Sequence, residues 1–223
     1  MPINFFHVVG DPNIGVFILT TDSFLITPPI LTEGKTLKLV KYLGVKTYVR
    51  TRLCGSKLIG ALSAANSWGI VIPDISSEDE AEQLRRGLNV DVHIISSKWT
   101  ALGNAVLVND YGGVVDHRVP EVTVWALEEA LKVKLKHGTI AGLPYVGSLG
   151  VTTNRGALVH PGVRDDERRL LAETLKVPVY TGTVNGGMPY VKAGLLANSH
   201  GIVVGGNTMG LELANISHAL GER

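Results

Sequence analysis

The sequence predicts an α/β ring built from five copies of one β-β-α-β unit, and three observations carry that prediction. A turn followed by a short apolar run recurs at Asn66-Ser-Trp-Gly69, Asn109-Asp-Tyr-Gly112 and Asn198-Ser-His-Gly201. Variants stand at Asn154-Arg-Gly156 and Asp22-Ser-Phe-Leu25, and the interval is 43–45 residues along all 223. A second landmark keeps the same beat: Leu43-Gly-Val45, Leu88-Asn-Val90, Leu131-Lys-Val133 and Leu175-Lys-Val177 each open a strand-like stretch. The next would fall near residue 221, so the fifth repeat has no room for its last strand. The N-terminal stretch 3–9 is a strand with no helix before it and fits that gap. A ring closed by its two ends hides the edges that open sheets must manage otherwise.

The elements follow in fixed order within a repeat. Residues 58–65 read as a strand, 66–69 as a turn in which Asn and Gly tolerate positive φ, and 70–72 as a second, short strand. Ser77 with Glu80 forms a capping-box pattern, and Ala81, Leu84 and Leu88 then share one helix face. Val90-Asp-Val92-His-Ile94 alternates with period two, as a half-buried strand does. The third repeat starts its helix with Pro120 and aligns Val124, Leu127 and Leu131. The fourth puts Asp165, Asp166 and Glu167 at the positive helix N-terminus. The fifth aligns Met209, Leu213, Ile216 and Leu220. A WD40 blade has a similar period but no helix, whereas every repeat here carries one of about eleven residues. A solenoid would want polar capping repeats, and none is visible. Five β-β-α-β units in a closed ring is the pentein architecture, a single domain over residues 1–223.

Composition agrees with a packed core: 45% hydrophobic and 18% charged residues, with a mean hydropathy of +0.21. A net charge of +1 supplies no field that draws the chain to nucleic acid or membrane. One cysteine permits no internal disulfide, and no apolar run approaches the ~18 residues of a membrane span. A soluble intracellular protein is expected. The 26 glycines exceed the usual share of roughly 7%, which points to repeated tight turns and close backbone contacts.

The chain also resembles a specific family along its whole length. Ala101-Leu-Gly-Asn104 followed by Asn109-Asp-Tyr111, Leu158-Val-His-Pro161 after Asn154-Arg-Gly156, and Gly182-Thr-Val-Asn185 appear in the order and spacing of translation initiation factor 6, archaeal form. The resemblance implies a pentein disc that binds the joining face of the large ribosomal subunit, near the sarcin–ricin loop and neighbouring ribosomal proteins. Bound there, it keeps the small subunit off and accompanies late large-subunit maturation. It implies a cytoplasmic protein, expected as a monomer, with no cofactor and room for a release factor. The chain ends at Arg223 without the serine- and acid-containing tail of eukaryotic members, so phosphoregulation of that tail is not carried over.

The alternative is a divergent guanidino-group hydrolase, since the pentein fold also hosts guanidine-modifying enzymes. Those need a nucleophilic cysteine in the last repeat, because the reaction passes through a covalent intermediate. Residues 192–223 hold no cysteine, and Cys54 lies in the first repeat, where a small buried hydrophobe is the expected role. The seven histidines show no i,i+4 pair and no acid in a ligand motif, so no catalytic and no metal residue is assigned. No GxxxxGK[ST] loop is present. The basic groups Lys35/Lys38/Lys41/Lys46, Lys132/Lys134/Lys136 and Arg164/Arg168/Arg169 read as solvated faces. Arg50 and Arg52, sharing a strand face with Tyr48, suit a partner or RNA backbone slightly better.

The better binding surface lies where each repeat's first strand begins. Those loops hold Asn13 and Gly15; Lys57 and Gly60; Leu102, Gly103 and Asn104; Gly147, Ser148 and Leu149; and Tyr190 and Lys192. Pseudosymmetry puts all five on one face of the disc. Glycine lets another backbone approach, and apolar tips dock into a protein partner.

Overall fold

The computed structural model describes residues 1–221. Five separate three-stranded sheets form, one per repeat, and they do not merge into one barrel. Each sheet pairs a short first strand antiparallel to a central strand, and the central strand parallel to a third. The second sheet, for example, is Ala64–Ala65, Gly69–Pro73 and Asp91–Ile95. A parallel pair needs a crossover, and the helices Glu33–Leu43, Glu78–Gly87, Glu121–Leu131 and Asp165–Leu175 supply it in the first four repeats. In the fifth, the third strand is the N-terminal Ile3–Phe6, which runs parallel to Ile202–Gly205 in register Ile3↔Ile202 to Phe6↔Gly205. The N-terminal strand thus fills the place left in the last repeat, but it is shorter than the expected 3–9: Val8 bridges back to Asp11 and Val9 turns at φ +52°. Phe6 and Val8 are buried there, while Phe5 faces out.

Helix starts follow their local chemistry. Ser77 Oγ accepts from Glu80 N at 3.2 Å and Ser77 N donates to Glu80 Oε2 at 3.0 Å, a complete capping box. The three acids at 165–167 sit in the first turn of their helix. Pro120 is the N-cap rather than the first helical residue. In the fifth repeat Met209 is an exposed N-cap rather than part of the apolar face, and its helix is Gly210–Ile216, seven residues rather than about eleven, continued by a π-helical turn Ser217–Gly221.

Two expectations are corrected. Residues 58–65 do not form one strand: a single helical turn, Ile59–Leu62, precedes the two-residue strand. Equivalent turns occur at Ile14–Phe17, Leu102–Ala105 and Val191–Gly194. The turn landmark is also displaced by one residue in two repeats. Asn66, Asn109 and Asn198 each accept two turn amides on Oδ1, and the residues doing this work in the first and fourth repeats are Thr21 and Thr153, through Oγ1. Asp22 and Asn154 stand one place further on, in a separate network. Asn154 Nδ2 bridges the carboxylates of Asp22, at 3.0 Å, and Asp110, at 2.6 Å.

The three asparagines also tie neighbouring repeats together. Asn66 Nδ2 donates to Asn109 O and Leu131 O, Asn109 Nδ2 to Thr153 O and Leu175 O, and Asn198 Nδ2 to Thr21 O and Leu43 O. All three side chains are buried, so each bond satisfies groups that water cannot reach. The links between repeats are held from the next unit. Glu80, Glu167 and Glu212 each bind successive amides of the turn that leads into their own repeat. Burial alone would raise Glu167 and Glu212, but the amides and a threonine hydroxyl on each hold both below the usual carboxylate range.

Candidate functional site

The helical turns and their fourth-repeat counterpart meet around the pseudo-fivefold axis. A Cβ on Gly60 would collide with Gly15 O, on Gly103 with Gly60 O, on Gly147 with Gly103 O, and on Gly15 with Lys192 O. Gly147 N donates to Asn104 O at 2.9 Å, and Lys192 N to Ser148 O at 3.3 Å, which completes the circuit. Four glycines and one lysine therefore occupy the same place in the five repeats. Only a residue without a side chain lets adjacent backbones come so close.

Lys192 is the exception because its side chain runs into the middle. Its Nζ donates to Gly103 O at 2.7 Å, across the ring. Burial pushes its pKa down from the ordinary 10.5 to about 8. Behind it, the first strands of all five repeats line an axial cavity of about 80 Å³. Ligand pockets usually offer roughly 300–1,000 Å³, so this one is too small to hold a cofactor.

The twelve residues named from the sequence divide by burial. Gly15, Gly60, Leu102, Gly103, Gly147 and Leu149 are buried, with Leu102 at 1% and Leu149 at 0% exposure. Leu102 is therefore a core residue packed with Ile95 and Val106, not an exposed apolar tip, and Gly103 serves backbone packing within the ring. The helical turn folds the leucine inward, which the strand reading could not foresee. Lys192 is spent on the axis. Asn13, Asn104 and Ser148 are half-buried, and Lys57 and Tyr190 are exposed. Lys57 Nζ lies 5.4 Å from the Phe17 ring centroid, bridging the first two repeats.

The reading missed further exposed groups on these segments, namely Leu58, Ala101 and Tyr145. Tyr145 is held from behind by Arg118, whose guanidinium carbon lies 4.8 Å from its ring and 5.4 Å from that of Trp99. Arg118 is fixed in turn by two bonds to the buried Asp116. The signal was present as an aromatic two residues before Gly147, the counterpart of Leu58 before Gly60. The exposed groups named on these segments are thus one cation, Lys57, with Leu58, Ala101, Tyr145 and Tyr190.

Other candidates are absorbed by the fold. Arg50 donates to Leu31 O at 2.6 Å and to Pro29 O, and Tyr48 donates to Glu33. Lys132 pairs with Asp91, Lys134 with Glu128, and Arg164 with Asp166 and Glu167. Cys54 sits at φ +55° in a turn, 3.4 Å from Ser76 Oγ. Burial pushes its thiol up, and the charges of Glu80 and Asp74 add to that, so the reactive thiolate is disfavoured. Among the described residues no helix is long and apolar enough to cross a membrane, and no cluster of three or more His, Cys, Asp or Glu could hold a metal.

Comparison with known proteins gives one consistent answer. The family model described as "eIF-6 family" matches residues 3–219. The protein of Methanocaldococcus jannaschii named translation initiation factor 6 is 41% identical over 220 residues, 95% of each chain. That of Pyrococcus horikoshii is 38% identical over 217 residues, again 95% of each, and that of Staphylothermus marinus 36% over 214, 95% of this chain and 94% of the relative.

Proposed function

The chain belongs to the eIF-6 family, and from that premise we propose that it is a non-enzymatic factor that docks on the joining face of the large ribosomal subunit and keeps the small subunit away. Its relatives are named as translation initiation factors, which gives the role in protein synthesis. The observation that supports a docking role is the short-helix face: five segments gathered around one axis, with Lys57, Leu58, Tyr145 and Tyr190 exposed around a close-packed backbone ring. A steric block needs affinity and position rather than bond chemistry. An interface of about 1,600 Å² in total is enough for tight binding. The ring of five sheets is read as the pentein architecture, and the working form as a cytoplasmic monomer that needs no cofactor. The ribosomal target includes proteins and rRNA near the sarcin–ricin loop, and a release factor would clear the face after maturation. Hydrolysis of a guanidino group is disfavoured by the raised thiol of Cys54 and its place in an interrepeat turn.

Cosedimentation with purified ribosomal subunits tests the face. Wild type should travel with large subunits only. Tyr190→Asp should keep the wild-type melting temperature, Lys57→Glu should melt no more than about 4 °C below it through loss of the Phe17 contact, and both should lose roughly ten-fold or more in affinity. Tyr111→Asp, on the opposite turn face, should bind as wild type. The reverse pattern would move the interface to the turn face.

A further inference from the structure

Pseudosymmetry makes each seam between repeats a copy of the others, so a seam that differs shows what it lacks. At four seams a turn glycine presses against the last turn of the next unit's helix. A Cβ on Gly69 would strike Ala130 O, on Gly112 Thr174 O, on Gly156 Ala219 O and on Gly201 Tyr42 O. At the seam between repeats 1 and 2 the equivalent residue is Phe24, fully buried, and the helix beside it carries Gly87 at the matching place. That helix also ends early, with Leu88 extended, whereas Gly44, Lys132 and Lys176 close their helices in the left-handed region. Thr21 stands where asparagine amides staple three of the other seams, and it has no amide to reach across.

One more position completes the contrast. The residue before each turn glycine is Trp68, Tyr111, Arg155 or His200, and its counterpart before Phe24 is Ser23. Trp68 crosses its seam and donates from Nε1 to Asp110 O at 3.4 Å. His200 crosses to repeat 1, where its Cβ lies against Gly44. Ser23 is too short to cross. At this seam an open pocket of about 480 Å³ remains, lined by Ser23, Phe24, Lys46, Ser67, Asn89 and Val90, and it extends to Asp22 and to the Gly44–His200 contact of the neighbouring seam. Its volume lies in the range of ordinary ligand pockets. Ser67, the counterpart of Asp110, is on its wall.

We propose that this seam binds an indole ring supplied from outside, in the position that Trp68 fills at the next seam. The ring would lie between Val90 and the Ser23 turn and donate its N–H to Ser67 O. Indole is preferred over a bare phenyl because the template occupant uses its ring nitrogen. The ring could reach the seam as a free indole compound or as a tryptophan side chain of a polypeptide, and the chemistry recognised is the same.

The test is a titration of isotope-labelled full-length protein, followed by amide NMR shifts, with indole in one arm and the capped tripeptide acetyl-Gly-Trp-Gly-amide in the other. Saturable shifts confined to residues around Ser23, Ser67 and Val90, in the millimolar range or tighter, are expected for a ligand of this size. Tighter binding of the tripeptide assigns the source to a polypeptide, and binding of indole alone assigns it to a small molecule. Ser23→Trp should fill the seam in cis and abolish the shifts. Trp68→Ser should open a second seam and double the number of sites, which keeps the test decisive if Ser23→Trp does not fold. No saturable shift in either arm, or an unchanged response in folded Ser23→Trp, overturns the proposal, as does a single site in Trp68→Ser.

Discussion

At the short-helix end of the axis, Gly15, Gly60, Gly103 and Gly147 set backbone against backbone, whereas at the turn end Asn66, Asn109 and Asn198 reach over three of the five seams with a side-chain amide. Both ends close the same five-fold arrangement, one by omitting side chains and the other by spending them. The two solutions leave different surfaces behind. Where the ring is made of glycine, residues just outside it, such as Leu58 and Tyr190, are exposed and available to a partner. Where the ring is made of amides, those side chains are already engaged with backbone groups of their own turn and of the neighbouring repeat. A change at the glycine end should therefore act as a steric fault and a change at the amide end as lost hydrogen bonds.

Thermal denaturation of Gly103→Ala beside Asn109→Ala puts the largest effects on that comparison. Gly103→Ala places a methyl against Gly60 O and Ser63 O, neither of which can give without moving the backbone. It should fail to fold, or melt more than about 10 °C below wild type, since each kcal/mol shifts a chain of this size by about 2–4 °C. Asn109→Ala strands Leu175 O, Thr153 O and the amides of Tyr111 and Gly112. Stranded buried groups cost about 1–3 kcal/mol each, less whatever water re-enters, so a folded protein melting about 5–10 °C lower is expected. A Gly103→Ala protein within about 2 °C of wild type would show that the glycine ring is not close-packed.

Lys192 sharpens the comparison with a smaller effect, because it alone breaks the glycine rule. With its folded pKa near 8 and its ordinary value 10.5, the unfolded chain holds a proton in that window that the folded chain releases. Stability contributed by this group therefore rises with pH from about 8 to 10.5 and is lowest below 8. Lys192→Met, having no charge to bury, lacks this contribution. The melting temperature of wild type relative to Lys192→Met should climb between pH 7 and pH 10, and a flat difference would place the ammonium in solvent.

Much of this architecture was legible in the sequence because periodicity survives substitution. The Leu-x-Val beat and the turn apolar runs located all five repeats, and the missing last strand located the role of Ile3–Phe6. What escaped was chemistry shared by unlike residues. Threonine Oγ1 accepts the same two turn amides as asparagine Oδ1, so Thr21 and Thr153 did the work while Asp22 and Asn154, next door, looked like the landmark. The helical turn at Leu102 was hidden because an apolar run too short to show a period reads as strand. Lys192 passed for a surface lysine, although its place in a column with Gly15, Gly60, Gly103 and Gly147, 43–45 residues apart, marks it as the side chain on the axis.

The central claim is that the factor blocks subunit joining by occupying the large subunit's face, and gradient centrifugation of mixed subunits tests it most directly. Purified large subunits are saturated with the protein, small subunits are added under joining conditions, and the fraction of joined ribosomes is read. The account predicts that joined ribosomes fall in proportion to bound factor, that the factor migrates with free large subunits, and that Tyr190→Asp, folded but weakly bound, restores joining. Undiminished joined ribosomes that carry the bound protein would contradict it.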